Sequence, residues 1–186
     1  MKVKEILLDT ENKMKKTLEA VIREFSEVRT GRAHPGLVEG LHIDYYGSPT
    51  LLKQVASISV PDAHLIVIQP WDASIIQEIE KAILKSNLSL TPYNDGKIIR
   101  LAIPPLSQER REELAKLVKK KAEEGRVSLR TIRHSAKETI EKLYKDKLIS
   151  EDDKFRGFDE LQKLVDKYIA QIDEILKNKE KEIFEF

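Results

Sequence analysis

Arg126, Arg130, Arg133 and Lys137 follow one another at steps of four, three and four residues, the spacing that stacks side chains along one face of an α-helix. A row of cations on a rigid rod breaks no bonds. Its chemistry is the capture of anions, and a guanidinium grips a phosphate through two parallel hydrogen bonds. Neither Arg130 nor Arg133 has a carboxylate three or four residues away, so the spacing rule for helices leaves both without an ion-pair partner. The charge balance points the same way. The net charge is only +1, but residues 106–147 hold 13 basic and 8 acidic side chains, whereas residues 148–186 hold 7 and 11. Charge alone leaves a second reading open, a solvated helix face balanced by the acidic final segment.

Bond-making chemistry has no comparable signature. Gly31 and Gly36 have the spacing that opens a phosphate-binding loop, but Leu37 stands where that loop needs lysine. His34, His42, His64 and His134 are scattered, without the spacing of metal ligands, and no nucleophile is marked with its base. The expectation is a non-enzyme with no metal and no cofactor. Trp71 and the pair Tyr45-Tyr46 could stack on bases, although a lone tryptophan beside Pro70 more often belongs to a core or a domain edge.

The elements that must position these residues divide by period. In the first 30 residues, Leu7, Met14, Leu18, Val21, Phe25 and Val28 keep the three-four step of a heptad seam, with Glu11 as a polar intruder. The basic segment carries Leu129, Ile132, Ala136, Ile140 and Leu143, with Ser107 as the expected N-cap and the small residues Ala122 and Gly125 where another helix could approach closely. The last segment carries Phe158, Leu161, Val165, Tyr168, Ile172 and Ile175 behind a Ser150 cap, with Glu151, Asp152 and Asp153 on its first turn. Three amphipathic helices can bury their stripes only against one another, so the spacing predicts a three-helix bundle.

Residues 32–105 obey a shorter period. Leu41, Ile43 and Tyr45 alternate with polar residues, as do Ala56, Ile58 and Val60, and Leu65 to Ile68 reads as a buried strand. Asp72 caps a short helix with Ile75, Ile76, Ile79 and Ile83 on one face. Asn94-Asp95-Gly96 then turns into a strand over 97–103. The fold class is α+β: residues 1–30 and 106–186 form a discontinuous bundle domain, and residues 31–105 an inserted domain. The connections are expected to be hinge segments 29–33 and 103–106, with Arg29, Thr30, Gly31 and Arg32 outward and Pro104-Pro105 on return. Glycine supplies freedom and Pro-Pro stiffness, so the insert either swings as a body or sits at a fixed elbow. At 186 residues without cysteine, disulfides are excluded. No stretch could serve as a signal peptide or span a bilayer, so a cytoplasmic monomer is expected.

An ordered set of short motifs runs the length of the chain. The motifs are Arg29-Thr30-Gly31-Arg32, Tyr45-Tyr46-Gly47-Ser48-Pro49-Thr50, Ile68-Gln69-Pro70-Trp71-Asp72 and Asn94-Asp95-Gly96-Lys97-Ile98-Ile99-Arg100-Leu101. Pro104-Pro105-Leu106 with Glu109-Arg110-Arg111, Leu129-Arg130-Thr131-Ile132-Arg133 and Ile149-Ser150-Glu151-Asp152-Asp153 complete a set that resembles one family, the bacterial ribosome recycling factors. The resemblance implies an L-shaped, two-domain protein in which a β/α/β sandwich domain is inserted into the bundle and joined by a hinge. It implies a translation factor that binds the bacterial ribosome and, with elongation factor G and GTP, splits post-termination complexes so that subunits are recycled. Arg130 and Arg133 match arginines that face large-subunit ribosomal RNA; Arg126, Lys137, Arg110 and Arg111 are expected to join them. His34-Pro35-Gly36, His134 and the aromatic Phe155-Arg156-Gly157-Phe158 depart from the family pattern. The alternative from another class is a helical scaffold or coiled-coil adaptor that binds a protein through its bundle; it explains the heptads but not the arginine face.

Overall fold

The computed structural model describes residues 2–185. In chain order these form helix α1 (Lys2–Glu27), strands β1 (His42–Tyr45) and β2 (Ser48–Leu51), the one-turn helix α2 (Leu52–Val55), strands β3 (Ala56–Asp62) and β4 (Leu65–Pro70), helix α3 (Ile76–Lys85), strands β5 (Pro92–Asn94) and β6 (Ile99–Ala102), and the long helices α4 (Gln108–Lys145) and α5 (Glu151–Glu185). The chain divides into two compact units at Arg29/Thr30 and again at Ser107/Gln108.

The first unit is the packing of α1, α4 and α5. Glu24 meets Lys121 of α4 while Ile6 and Thr10 line a groove with Ser135 and Thr139, and on α5 Val3 meets Gly157 while Glu11 meets Lys167, so α1 runs antiparallel to α4 and parallel to α5. The seam buries Leu7, Met14, Val21 and Phe25 of α1, Leu114, Val118, Leu129 and Ile140 of α4, and Leu161, Val165, Tyr168 and Ile172 of α5. Gly125 sits where the three helices crowd. A Cβ there would lie 2.7 Å from Val21 Cγ2 and 3.1 Å from Ile172 Cδ1. The polar intruder Glu11 is accounted for by α5, whose Lys167 Nζ and Tyr168 Oη donate to its carboxylate at 3.3 and 3.2 Å. Ser150 caps α5 through its Oγ, which accepts from the Asp153 N–H at 3.1 Å.

Five residues expected in the seams are only half-buried: Leu18, Ile132, Leu143, Phe158 and Ile175. Ile132 and Leu143 line a groove of about 530 Å³ between α1 and α4, with Ile6 and Ala136. On α5 the buried position at the start of the seam is Gly157 rather than Phe158, because Val3 and Ile140 pack against that site and leave no room for a side chain.

The second unit is built on a four-stranded antiparallel sheet in the order β3-β4-β6-β5, with a separate β1-β2 hairpin. Helix α3 turns Ile76, Ile79 and Ile83 into a core shared with Ile43, Leu52, Ile66, Ile68, Ile99 and Leu101. The β1-β2 turn holds Tyr46 at φ 49° and Gly47 at φ 84°, the paired positive angles that hairpins of this length favour. In β3 the register shifts between Ser59 and Asp62, where Pro61 has no N–H to give the ladder. The strand expected over 97–103 starts at Ile99, because the Asp95 carboxylate takes the N–H groups of Lys97 and Ile98 into the turn.

Candidate nucleic-acid interface

Helix α4 is continuous for 38 residues, which carries Arg126, Arg130, Arg133 and Lys137 on one unbroken rod. The alternation of these residues with Leu129, Ala136 and Ile140 is what turns them away from the core. From Arg130 to Lys137 the row rises by about 10 Å at 1.5 Å per residue.

The four members differ in what holds them. Arg126 is clamped: its side chain is 19% exposed, its Nε donates to Asp173 of α5 at 2.8 Å, and its Nη1 reaches Glu123 at 3.0 Å. Burial opposes its charge, but Asp173 and then Glu123 outweigh burial and raise its pKa. Arg130 is half exposed and donates to the other oxygen of Glu123 at 3.0 Å. Glu123, held by Arg126 and then Arg130, titrates below the ordinary glutamate range. These pairs correct the expectation that Arg130 lacks a partner on its own helix. Glu123 lies seven residues back, two turns along the same face, where long side chains still meet.

Arg133 is half-buried against α5, where its Nη1 donates to Gln162 Oε1 at 2.9 Å. Gln162 in turn donates to Asp166 at 2.8 Å. The direct partner of Arg133 is thus a neutral amide, which fixes the guanidinium without cancelling its charge. Lys137 rests 5.1 Å from the ring centroid of Phe158. Glu141, one turn on at the spacing that suits an ion pair, does not pair with it. Arg110 pairs with Glu113 at 2.7 Å, and Arg111 donates to the Phe184 carbonyl at 3.2 Å, so both are tied down at the start of α4. The spacing rule missed Glu123, and sequence gave no signal for Asp173 or Gln162, whose roles depend on how α5 is set against α4.

The expected hinge residues border the second unit. Thr30 is buried, Arg29 and Arg32 are exposed, and Pro104 and Pro105 face solvent. Gly31 has φ 77°, and a Cβ on it would lie 2.9 Å from Leu106 Cγ, so both backbone angle and space require glycine. The outward and return segments are fastened to neighbouring residues of the β3-β4 turn. The Ala33 N–H donates to the Ala63 carbonyl at 2.7 Å, and the Ile103 N–H to the His64 carbonyl at 2.8 Å. Within the same unit, Tyr46 Oη donates to Asp72 at 2.8 Å beside the exposed Trp71. No helix among the described residues is long and apolar enough to cross a membrane.

Comparison with known proteins gives one answer by two routes. The family model described as Ribosome recycling factor matches residues 21–184. The chain is 52% identical over 183 residues to the ribosome-recycling factor of Syntrophomonas wolfei, covering 98% of this chain and 99% of that one. It is 55% identical over 177 residues to that of Desulfosudis oleivorans, covering 95% and 96%. A solution structure of the ribosome recycling factor superposes with a TM-score of 0.76 at 45% identity, over 100% of this chain and 99% of that one. The T. thermophilus ribosome recycling factor, placed with E. coli elongation factor G on the E. coli post-termination complex, gives 0.64 at 42% identity over 98% and 99%.

Proposed function

Because the chain belongs to the ribosome recycling factor family, we propose that it is a translation factor that disassembles post-termination ribosomal complexes together with elongation factor G and GTP. The partner pairing is supported by the T. thermophilus relative, which has been placed with E. coli elongation factor G on the E. coli post-termination complex. In this reading the chain is a cytoplasmic, non-enzymatic monomer, and nucleotide hydrolysis belongs to elongation factor G. Its own work is to bind and to transmit displacement.

The bundle supplies the binding. Arg133 carries the site assignment, because a guanidinium held in place by a neutral amide keeps both its orientation and its charge for a phosphate. Arg130 and Lys137 extend the contact along α4 to large-subunit ribosomal RNA. Arg126, Arg110 and Arg111 add positive potential, but their partners already hold them, so they contribute less per residue. The segments around Arg29–Arg32 and Pro104–Pro105 serve as the hinge through which force on one domain displaces the other. Among the described residues the chain crosses between the two units only twice, at Arg29/Thr30 and Ser107/Gln108, and that double connection supports this role.

Subunit splitting of purified post-termination ribosomes tests the whole reading. Light scattering should fall only when the protein, elongation factor G and GTP are all present. Splitting that proceeds equally well without the protein, or none with all three, refutes it. A scaffold or adaptor would bind its partner with little dependence on salt, whereas phosphate capture weakens steeply as salt rises.

A further inference from the structure

The first turns of α5 carry an aromatic cluster that the arginine row does not need. Phe155 is 53% exposed although α5 buries Gly157, Leu161 and Val165 on its other side. It meets Phe158 edge to face, with ring centroids 6.4 Å apart. Lys154 Nζ lies 4.0 Å from the Tyr144 centroid and 4.7 Å from that of Phe155, and Lys137 Nζ lies 5.1 Å from that of Phe158. The surface therefore runs Tyr144, Lys154, Phe155, Phe158, Lys137: two phenyl rings bracketed by two ammonium groups. It is continuous with the arginine row, because Phe155, Phe158 and Gln162 follow at steps of three and four on one face of α5, and Gln162 is the acceptor of Arg133.

We propose that Phe155 is a stacking platform for an unpaired RNA nucleobase, with Lys137 and Lys154 neutralising the phosphates on either side. Three observations favour RNA over a protein partner. An exposed ring fixed by a perpendicular neighbour offers a flat π-surface at little entropic cost. Cations lie at both ends of the Phe155–Phe158 pair, Lys154 over Phe155 and Lys137 over Phe158, whereas lysine is depleted where apolar protein hot spots form. The neighbouring row already presents Arg133 in a geometry suited to phosphate. Acidic side chains adjoin the ring as well: Asp159 and Glu151 each lie about 40° round α5 from Phe155, on opposite sides, and Asp152 lies about 60° away, so the two lysines must outweigh them at the ring itself. Base–aromatic stacking tolerates any base, so the site would contribute affinity without reading sequence.

This inference rests on the ribosome binding proposed above, and the test separates the two. Affinity for ribosomes is measured for Phe155→Ala, Phe155→Leu, Phe155→Tyr and Phe155→Trp, with Arg133→Ala alongside and helix content checked by circular dichroism. Phe155→Ala should weaken binding about tenfold, the scale of one lost base stack. Tyrosine and tryptophan should keep the affinity, and leucine should not. In a Trp71→Phe background, the indole of Phe155→Trp is the single tryptophan of the chain, and its fluorescence should be quenched on binding. Unchanged affinity for Phe155→Ala overturns the platform, as does full rescue by leucine, which marks an apolar protein contact. Loss in Arg133→Ala alone refutes only the platform; wild-type binding in both variants refutes the arginine face as well.

Discussion

Gly125→Ala sets two known effects against each other at one position. In a helix interior alanine is favoured over glycine by about 1 kcal/mol. Here the added methyl would lie 2.7 Å from Val21 Cγ2 and 3.1 Å from Ile172 Cδ1, whereas relaxed carbon contacts lie near 3.5–4.0 Å. The valine cannot swing aside cheaply, because a β-branched side chain in a helix has essentially one χ1 rotamer. Relief must come from parting α1 and α4, and overpacking of this kind costs about 1–3 kcal/mol. The clash wins, and net destabilisation of up to about 2 kcal/mol follows from the difference of these two figures. Thermal unfolding followed by the helical circular dichroism signal should show the midpoint falling by several degrees. Val21→Ala alone should also destabilise, by loss of two buried methyl groups, but in the Gly125→Ala background it should cost less, because the new methyl occupies part of the space. The double-mutant cycle should therefore give a favourable coupling of about 1 kcal/mol. A Gly125→Ala protein that melts higher than wild type, or a cycle that is additive, would falsify the close approach on which the bundle packing is argued.

Arg133→Ala should keep its melting behaviour yet lose most ribosome affinity and flatten the salt dependence by about one phosphate contact; Arg133→Lys should rescue only part, since an ammonium cannot make the bidentate pair. Arg126→Ala should do the reverse, costing about 1 kcal/mol of stability measured by urea unfolding, with a smaller effect on binding, because its charge is spent on Asp173 and Glu123. Glu11 is held below its ordinary pKa of 4.5 by its hydrogen bond from Lys167, against the opposing effect of burial and with further help from Tyr168, and Glu123 is held low by Arg126 and Arg130. Depressed carboxylates stabilise the fold above 4.5 and lose that contribution as pH falls through their folded values, so the melting temperature should drop as pH is lowered from about 5, and less steeply in Glu11→Gln.

The sequence made the two outer helices legible because a heptad seam needs only its own period: Met14, Val21 and Phe25, and Leu161, Val165, Tyr168 and Ile172, lie where that period put them. Gly125 could be recognised as a point of close approach, since a small residue in a seam has few other uses. The arginine row was found by spacing, but its internal differences were not. The clamp on Arg126 comes from Asp173, 47 residues away, and the link from Arg130 to Glu123 spans two turns rather than one. Glu11 looked like a flaw in its seam because the groups that satisfy it are on α5. Strands β2 and β5 were missed for a local reason: each contains a proline, Pro49 and Pro92, at an edge where the absent N–H does no harm.

The fastening of residues 33 and 103 to the two halves of a single turn has a consequence for how the polypeptide assembles. Helices α1 and α4 are separated by a 78-residue excursion, from Thr30 to Ser107. While that excursion is unfolded, closing it carries the entropic penalty of a long random loop. Once Ala63 and His64 have gathered both ends, the helices meet across an effective linker of about a dozen residues, residues 28–33 and 103–107 joined through the turn. The logarithmic length dependence puts the saving at roughly 2 kcal/mol of closure entropy. The insert thus acts as a scaffold for the contact order of its host: what is distant along the chain becomes local. Helix signal in stopped-flow refolding should consequently appear no faster than the sheet closes, and a bundle that forms well ahead of the insert would exclude this order of events.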